Sequence, residues 1–167
     1  MQISLISAMS QNRVLSQQGK IPWKIPWDLQ NFKRLTLFHH ILMGRKTWQS
    51  LPHRPLPQRV NMILSRRPRK KRHQRGLYFT NLREALNYAQ NQGETELFVI
   101  GGEEIFRLTL PLAYRMYLTI VHKNMEGDRF FPTFSQKKWA VIQSITMQEN
   151  NYTFTYQELE RFDERKT

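Results

Sequence analysis

Twice in this chain an apolar, strand-like run ends in glycine and passes directly into a helical segment: Leu42-Met43-Gly44-Arg45-Lys46-Thr47 and Val99-Ile100-Gly101-Gly102-Glu103-Glu104. That order is the unit of an α/β domain, in which helices carry the chain back so that successive strands lie parallel. The remaining pattern agrees. Ile3 to Met9, His40 to Met43, Val60 to Ser65, Thr95 to Ile100 and Tyr114 to Val121 read as strands. Trp27 to Leu37 and Leu82 to Gln92 space their apolar residues as amphipathic helices, and shorter helical segments are expected from Gly44 to Leu51 and from Glu103 to Leu110. Two late strands, Trp139 to Thr146 and Tyr152 to Leu159, flank a polar turn and predict a hairpin. The expected fold is one α/β domain with a central mixed, mainly parallel β-sheet, helices on both faces and a C-terminal antiparallel hairpin.

At 167 residues and 40% hydrophobic content the chain can bury one core, and no linker divides it. The absence of cysteine removes disulfides, thiolate metal sites and Cys nucleophiles. The longest apolar run, Leu97 to Ile100, is far short of the roughly 20 residues a membrane helix needs. The start of the chain has no basic flank and no long apolar region, so no secretory signal is expected and the cytoplasm is the expected compartment. None of the five histidines has zinc-type spacing, and no metal site is expected. His39 and His40, being adjacent in a strand pattern, are expected to point to opposite faces, with surface or edge positions as the default for all five.

The net charge of +13 is unevenly spread, because nine of the 26 Lys and Arg residues fall between Arg54 and Arg75 with no acid among them. The densest part, Arg66 to His73, has no aromatic side chain to stack on bases, so specific nucleic-acid binding is not expected. Asp28 is the only carboxylate in the first 83 residues. It shares a helical face with Phe32 and Leu35, at i, i+4 and i+7. Two readings stand: a first-turn or capping residue, or a desolvated carboxylate whose partner is a ligand. Burial would raise its pKa toward the range useful for proton chemistry. The two glycine-ended strands, with Arg45, Lys46 and Arg66 near them, suit a ligand carrying several phosphates. Glu103 and Glu104 are unfavourable for phosphate and are expected to stabilise the helix start.

Several motifs in order carry a resemblance. They are Ile6-Ser7-Ala8-Met9, Ile21-Pro22-Trp23 with Pro26 and Asp28-Leu29, Phe32-Lys33, Met43 to Ser50, Pro55 to Arg59, Ile100-Gly101-Gly102, Leu118-Thr119, and Glu126-Gly127-Asp128 followed by Phe131-Pro132. With these the chain resembles bacterial dihydrofolate reductase over residues 1–167 as a single domain, with a basic loop at 66–76. The resemblance implies NADPH-dependent reduction of 7,8-dihydrofolate to tetrahydrofolate, by hydride transfer to C6 and protonation at N5. It implies catalytic roles for Asp28, Trp23 and Thr119, and a folate pocket lined by Ile6, Ala8, Leu29, Phe32, Leu51 and Ile100, with Arg59 on the tail carboxylate. For NADPH it implies Ala8, Ile21, Gly44, Arg45, Lys46, Thr47, Ser65, Arg66, Ile100, Gly101, Gly102 and Phe106. It also implies a lid from Asn12 to Trp23, and binding of diaminopyrimidine or pteridine antifolates; a monomer is expected. Trp27 beside Asp28, Ser16 in the lid, Phe106 and the Pro52-His53 insertion depart from the usual pattern. Within the same fold the nearest rival is a reductase of riboflavin synthesis, against which Asp28, Trp23 and Arg59 together favour folate.

Overall fold

The computed structural model describes residues 1–67, 72–73 and 75–162, with only the backbone of 72 and 73. Pro68 to Lys71 and Gln74, which hold much of the expected basic loop, lie outside the described residues. The elements in chain order are β1 (Gln2–Ser10), β2 (Val14–Ser16), α1 (Pro26–Thr36), β3 (His40–Gly44), α2 (Arg45–Ser50), β4 (Val60–Leu64), β5 (Arg72–His73), β6 (Gly76–Phe79), α3 (Leu82–Asn91), β7 (Glu96–Gly101), α4 (Glu103–Thr109), β8 (Arg115–Val121), β9 (Arg129–Phe130), β10 (Trp139–Glu149) and β11 (Tyr152–Arg161).

Nine strands form one sheet in the order β10-β11-β8-β1-β7-β3-β4-β6-β5. Six of them, from β8 to β6, run parallel, while β11, β10 and β5 are antiparallel additions at the two sides. The central strands read as continuous apolar runs because both faces are covered. One face packs Trp48 of α2 and Phe32 and Leu35 of α1 against Ile6, Ile41, Met43 and Tyr117. The other packs Ala85 and Ala89 of α3 and Ile105 and Phe106 of α4 against Leu5, Leu42, Leu97 and Val99. The predicted architecture is therefore observed, including the C-terminal hairpin, whose strands each run two or three residues beyond the predicted limits.

Four short strands, β2, β5, β6 and β9, are not predicted from the sequence. Gly76–Phe79 forms β6 where sequence pattern gave only the basic loop, since four residues behind a charge run carry too little periodicity. The three residues of β2 pair with β9 in a separate two-stranded sheet, which local pattern had no means of detecting.

The paired histidines also depart from expectation. His39 lies in the turn before β3, so its ring is free to swing beside that of His40, and both Nδ1 atoms reach Glu94, at 2.8 and 2.7 Å. His40 is buried rather than on the surface. The backbone N–H groups of His40, Thr95 and Glu96 donate to the same carboxylate. Burial pushes the Glu94 carboxyl up, but the bonds from His39, from the backbone of Glu96 and His40 and from the His40 ring outweigh it and bring it from 4.5 to about 2. A carboxyl depressed in the folded state stabilises it above the unfolded pKa and loses that contribution as pH falls toward the folded value. We expect Glu94→Gln to lower stability at pH 7 by about 1–3 kcal/mol, from mismatched donors at the amide, with the gap from wild type shrinking between pH 4.5 and about 2. Thermal melts followed by circular dichroism across that range check it.

Candidate active site

Parallel strands place their carboxyl ends on one side of the sheet, and the segments that leave those ends build the site. α1 enters this side with Pro26 in its first position, where a missing N–H loses nothing, and Asp28 in its first turn. No side chain caps the helix. The Asp28 carboxylate instead turns to the sheet, where the Thr119 hydroxyl of β8 donates to its Oδ1 at 2.6 Å, across 91 residues of sequence. Both readings of Asp28 thus hold in part: first turn by position, buried polar group by contact. Burial raises the carboxyl above its ordinary value, and the bond from Thr119 offsets only part of that. Among the described residues no cation pairs with it.

Apolar side chains of β1, β7, β8 and β11 and of α1 and its flanks pack in the clusters on this face. Ile6 and Ala8 of β1 stand in register with Tyr117 and Thr119 of β8, so they share a face. Trp23 is buried in a cluster with Ile25, Val121 and Phe154, to which Ala8 and Trp27 also pack. Phe32, Leu51 and Ile100 are partly buried against the neighbouring cluster. Leu29 and Ile21 are 58% and 60% exposed, so two of the expected lining residues present bare apolar surface at the rim. Trp27, which departs from the family pattern, has a structural place here. In the structure its ring packs 5.3 Å from Tyr156 and 5.7 Å from Phe154, and its backbone N–H donates to Glu149 Oε1 at 3.2 Å. Tyr156 is the β11 residue paired with Thr119, so Trp27 fixes the helix start against the strand pair that carries the Asp28 partner.

Arg59 lies at the other end of α1, just before β4 at the amino-terminal ends of β3 and β4. Its guanidinium sits 5.9 Å from the centre of the Phe32 ring and donates to Thr36 Oγ1 and the Pro57 carbonyl, both neutral. It is partly buried, with its pKa lowered by desolvation, and no carboxylate among the described residues offsets its charge.

The two glycine-ended strands are neighbours, with Met43 in register with Gly101, so their exits meet. Gly101 has φ +118, and a Cβ there would come 3.2 Å from the Phe106 ring, while one on Gly102 would meet Thr47 Oγ1 at 3.4 Å. Side chains would fill this corner and push a ligand away from the backbone. Neither α2 nor α4 has a side-chain cap at its start, so backbone N–H donors remain available there. Ser65 and Arg66 leave β4 beside Arg45, because Leu64 pairs with Gly44. Ser65 is buried and its Oγ accepts from Arg67 N at 3.3 Å, whereas Arg66 is exposed and pairs with Glu104 at 3.3 Å. Lys46 is exposed, and Arg45 and Thr47 are partly so. Phe106 lies in the core against Phe131 and beneath Gly101, where it supports the turn from below. Glu103, expected to serve the helix start, instead accepts from Phe130 N at 2.9 Å and faces Arg107 and Arg129, away from the glycine corner.

The segment from Asn12 to Trp23 is docked on residues 125–131. Asn12 exchanges hydrogen bonds with the Met125 backbone, Gln18 N–H donates to Asp128, and Asp128 N–H donates to the Ser16 carbonyl. Gly127 permits the approach, since a Cβ there would collide with Val14 and come 2.7 Å from Ser16 O. No group of metal-ligating side chains forms among the described residues. We expect Gly127→Ala to release this segment, raising amide exchange over residues 12–23 by about tenfold or more, equivalent to the 1.4 kcal/mol that one lost docking contact supplies. Exchange monitored by mass spectrometry reads the change.

A sequence profile described as dihydrofolate reductase matches residues 2–161. Dihydrofolate reductase of Bacillus subtilis is 39% identical over 142 residues, covering 85% of this chain and 82% of that protein. The Buchnera aphidicola (Schizaphis graminum) enzyme is 38% identical over 165 residues, covering 96% of this chain and all of that one. Among solved structures, dihydrofolate reductase from Enterococcus faecalis complexed with NADP(H) and RAB-propyl superposes with a TM-score of 0.87 at 28% identity, covering 97% of both chains. The fold and site define an α/β oxidoreductase. The chain belongs to the dihydrofolate reductase family.

Proposed function

We propose that this chain reduces 7,8-dihydrofolate to 5,6,7,8-tetrahydrofolate, consuming NADPH and one proton. The observation that carries the reading is Asp28: a mostly buried carboxylate, raised in pKa, held by Thr119 alone and without a cationic neighbour among the described residues. Such a group is stabilised by a ligand that presents N–H donors in a plane, as the aminopyrimidine edge of a pteridine does. Ile6, Ala8, Phe32, Leu51 and Ile100 supply the apolar walls for the ring, with Leu29 at the rim. Trp23 closes the side near Asp28. Arg59, partly desolvated and uncompensated, takes the carboxylate of the substrate's glutamate tail. The same pocket suits diaminopyrimidine and pteridine antifolates, which carry the same donors.

The corner of Gly44, Gly101 and Gly102, with Lys46, Thr47 and the open helix starts, suits a pyrophosphate, and Arg45, Ser65 and Arg66 suit a ribose phosphate beside it. Ala8, Ile21 and Ile100 adjoin the position of the nicotinamide, and Phe106 supports it through Gly101. When bound, NADPH supplies the hydride received at C6. The chain's own contribution is alignment of the two rings, which in favourable systems is worth about 7–11 kcal/mol. Asp28, on the aminopyrimidine edge, polarises the pteridine and orders water through which a proton can reach N5, and the docked segment from Asn12 to Trp23 closes over the rings.

A buried carboxyl with a raised pKa opposes folding as pH rises, because the unfolded chain releases that proton more easily. Asp28→Asn removes this opposition. Its expected signature is a melting temperature at pH 7 equal to or above wild type, together with a loss of dihydrofolate turnover of about 100-fold or more. Near-normal turnover in the variant would refute the role given to Asp28. The acid limb assigned to that carboxyl, above its ordinary value of 3.8, should also vanish from the pH profile. For the cofactor, neutralising Arg45 and Arg66 together should raise the KM for NADPH about tenfold or more while leaving that for NADH nearly unchanged, since only one carries the extra phosphate. Equal losses for both cofactors would remove the assignment.

A further inference from the structure

Of the two carboxylates that open α4, Glu103 is turned to Phe130, Arg107 and Arg129, whereas Glu104 takes no part in that arrangement. Its Oε2 stands 3.3 Å from the Arg66 guanidinium. The two residues leave strands that are not neighbours: α4 follows β7 and Arg66 follows β4, while β3 lies between. Across two strand spacings of about 4.8 Å each, the pair therefore reaches past the exit of β3, where Gly44 and Arg45 lie. That is the corner assigned above to the ribose phosphate. Among the described residues Arg45 and Lys46 meet no carboxylate within ion-pair distance, so the negative charge brought to this group of cations is that of Glu104.

We propose that Glu104 sets cofactor selectivity: its carboxylate holds Arg66 before the cofactor binds and remains beside the extra phosphate of NADPH once that phosphate takes Arg66, which narrows the preference for NADPH over NADH. The proposal rests on the reading in which Arg45 and Arg66 receive that phosphate. With side-chain exposures of 90% and 67%, the pair itself is weak, and breaking it decides little. The larger effect is the like charge. A phosphate bound by Arg66 lies within one guanidinium of the Glu104 carboxylate, and a dianion beside an anion at that range is disfavoured even in water. The bonds from Glu103 to the small sheet fix the start of α4, which leaves Glu104 only its own side-chain rotation to move away. NADH brings no such charge. Its ribose hydroxyl donates to a carboxylate instead, as at dinucleotide sites where an acid binds the ribose. Glu104 therefore acts against one cofactor and not the other.

Calorimetric titration of the full chain with adenosine 2′,5′-bisphosphate, which carries the extra phosphate, and with NADH, which lacks it, tests this. Glu104→Gln keeps the shape of the side chain and removes its charge. It is expected to tighten the bisphosphate about fivefold at about 0.1 M salt and to leave NADH within about twofold of wild type. The gain should shrink at about 1 M salt, where the screening length falls to about 3 Å. Glu103→Gln removes the same charge one residue away and is expected not to tighten the bisphosphate. No tightening by Glu104→Gln, equal tightening of both ligands, equal tightening by Glu103→Gln, or a gain undiminished at high salt would each overturn the proposal. Arg66→Gln separates that failure from failure of the cofactor reading. It weakens the bisphosphate if Arg66 holds the phosphate, whatever Glu104 does; without that weakening both readings fall.

Discussion

A carboxylate drawn out of water is the constraint on which the site depends. Asp28 could have remained an ordinary first-turn acid interacting with the helix dipole. Its rim-facing neighbours and its bond to Thr119 place it under the sheet's carboxyl ends instead, where the charged form is disfavoured. Holding that position requires α1 to be fixed at its start, and Trp27 does this with its ring against Tyr156 and Phe154 and its backbone N–H donating to Glu149. The hairpin at the end of the chain thus positions an acid near its beginning.

The second constraint is strand order. β7 enters the sheet between β1 and β3, so two segments separated by more than fifty residues in sequence end side by side. Each contributes a glycine that lets a ligand approach the backbone, and each opens a helix without a side-chain cap. A parallel sheet can make this juxtaposition only where the winding brings non-consecutive strands together, which is why such corners collect phosphate-bearing ligands.

Charge is distributed to match. The absence of acids between Asp28 and Glu84 leaves Arg45, Lys46 and Arg59 free of carboxylate partners among the described residues, whereas Arg66 meets Glu104 at the surface. A weak exposed pair of that kind can be exchanged for a phosphate at little cost. Glu103, adjacent in sequence, spends its charge on Phe130 N–H, Arg107 and Arg129, and so ties the small sheet to α4 and leaves the glycine corner clear.

The sequence alone determined the α/β class, most element positions, the isolation of Asp28 and the strand, glycine, helix units, because each is written in local spacing: period two, period 3.6, or an uninterrupted absence of acids. Resemblance added Thr119 to the same site as Asp28, a grouping no local pattern could supply. Only the tertiary structure decided which way side chains turn once the chain doubles back. His39 and His40 converge on Glu94 because one lies in a turn, Phe106 belongs to the core beneath Gly101, and β2 exists only because Arg129 and Phe130 come to meet it. Contacts between residues far apart in sequence depend on winding and packing, and neither leaves a periodic trace along the chain.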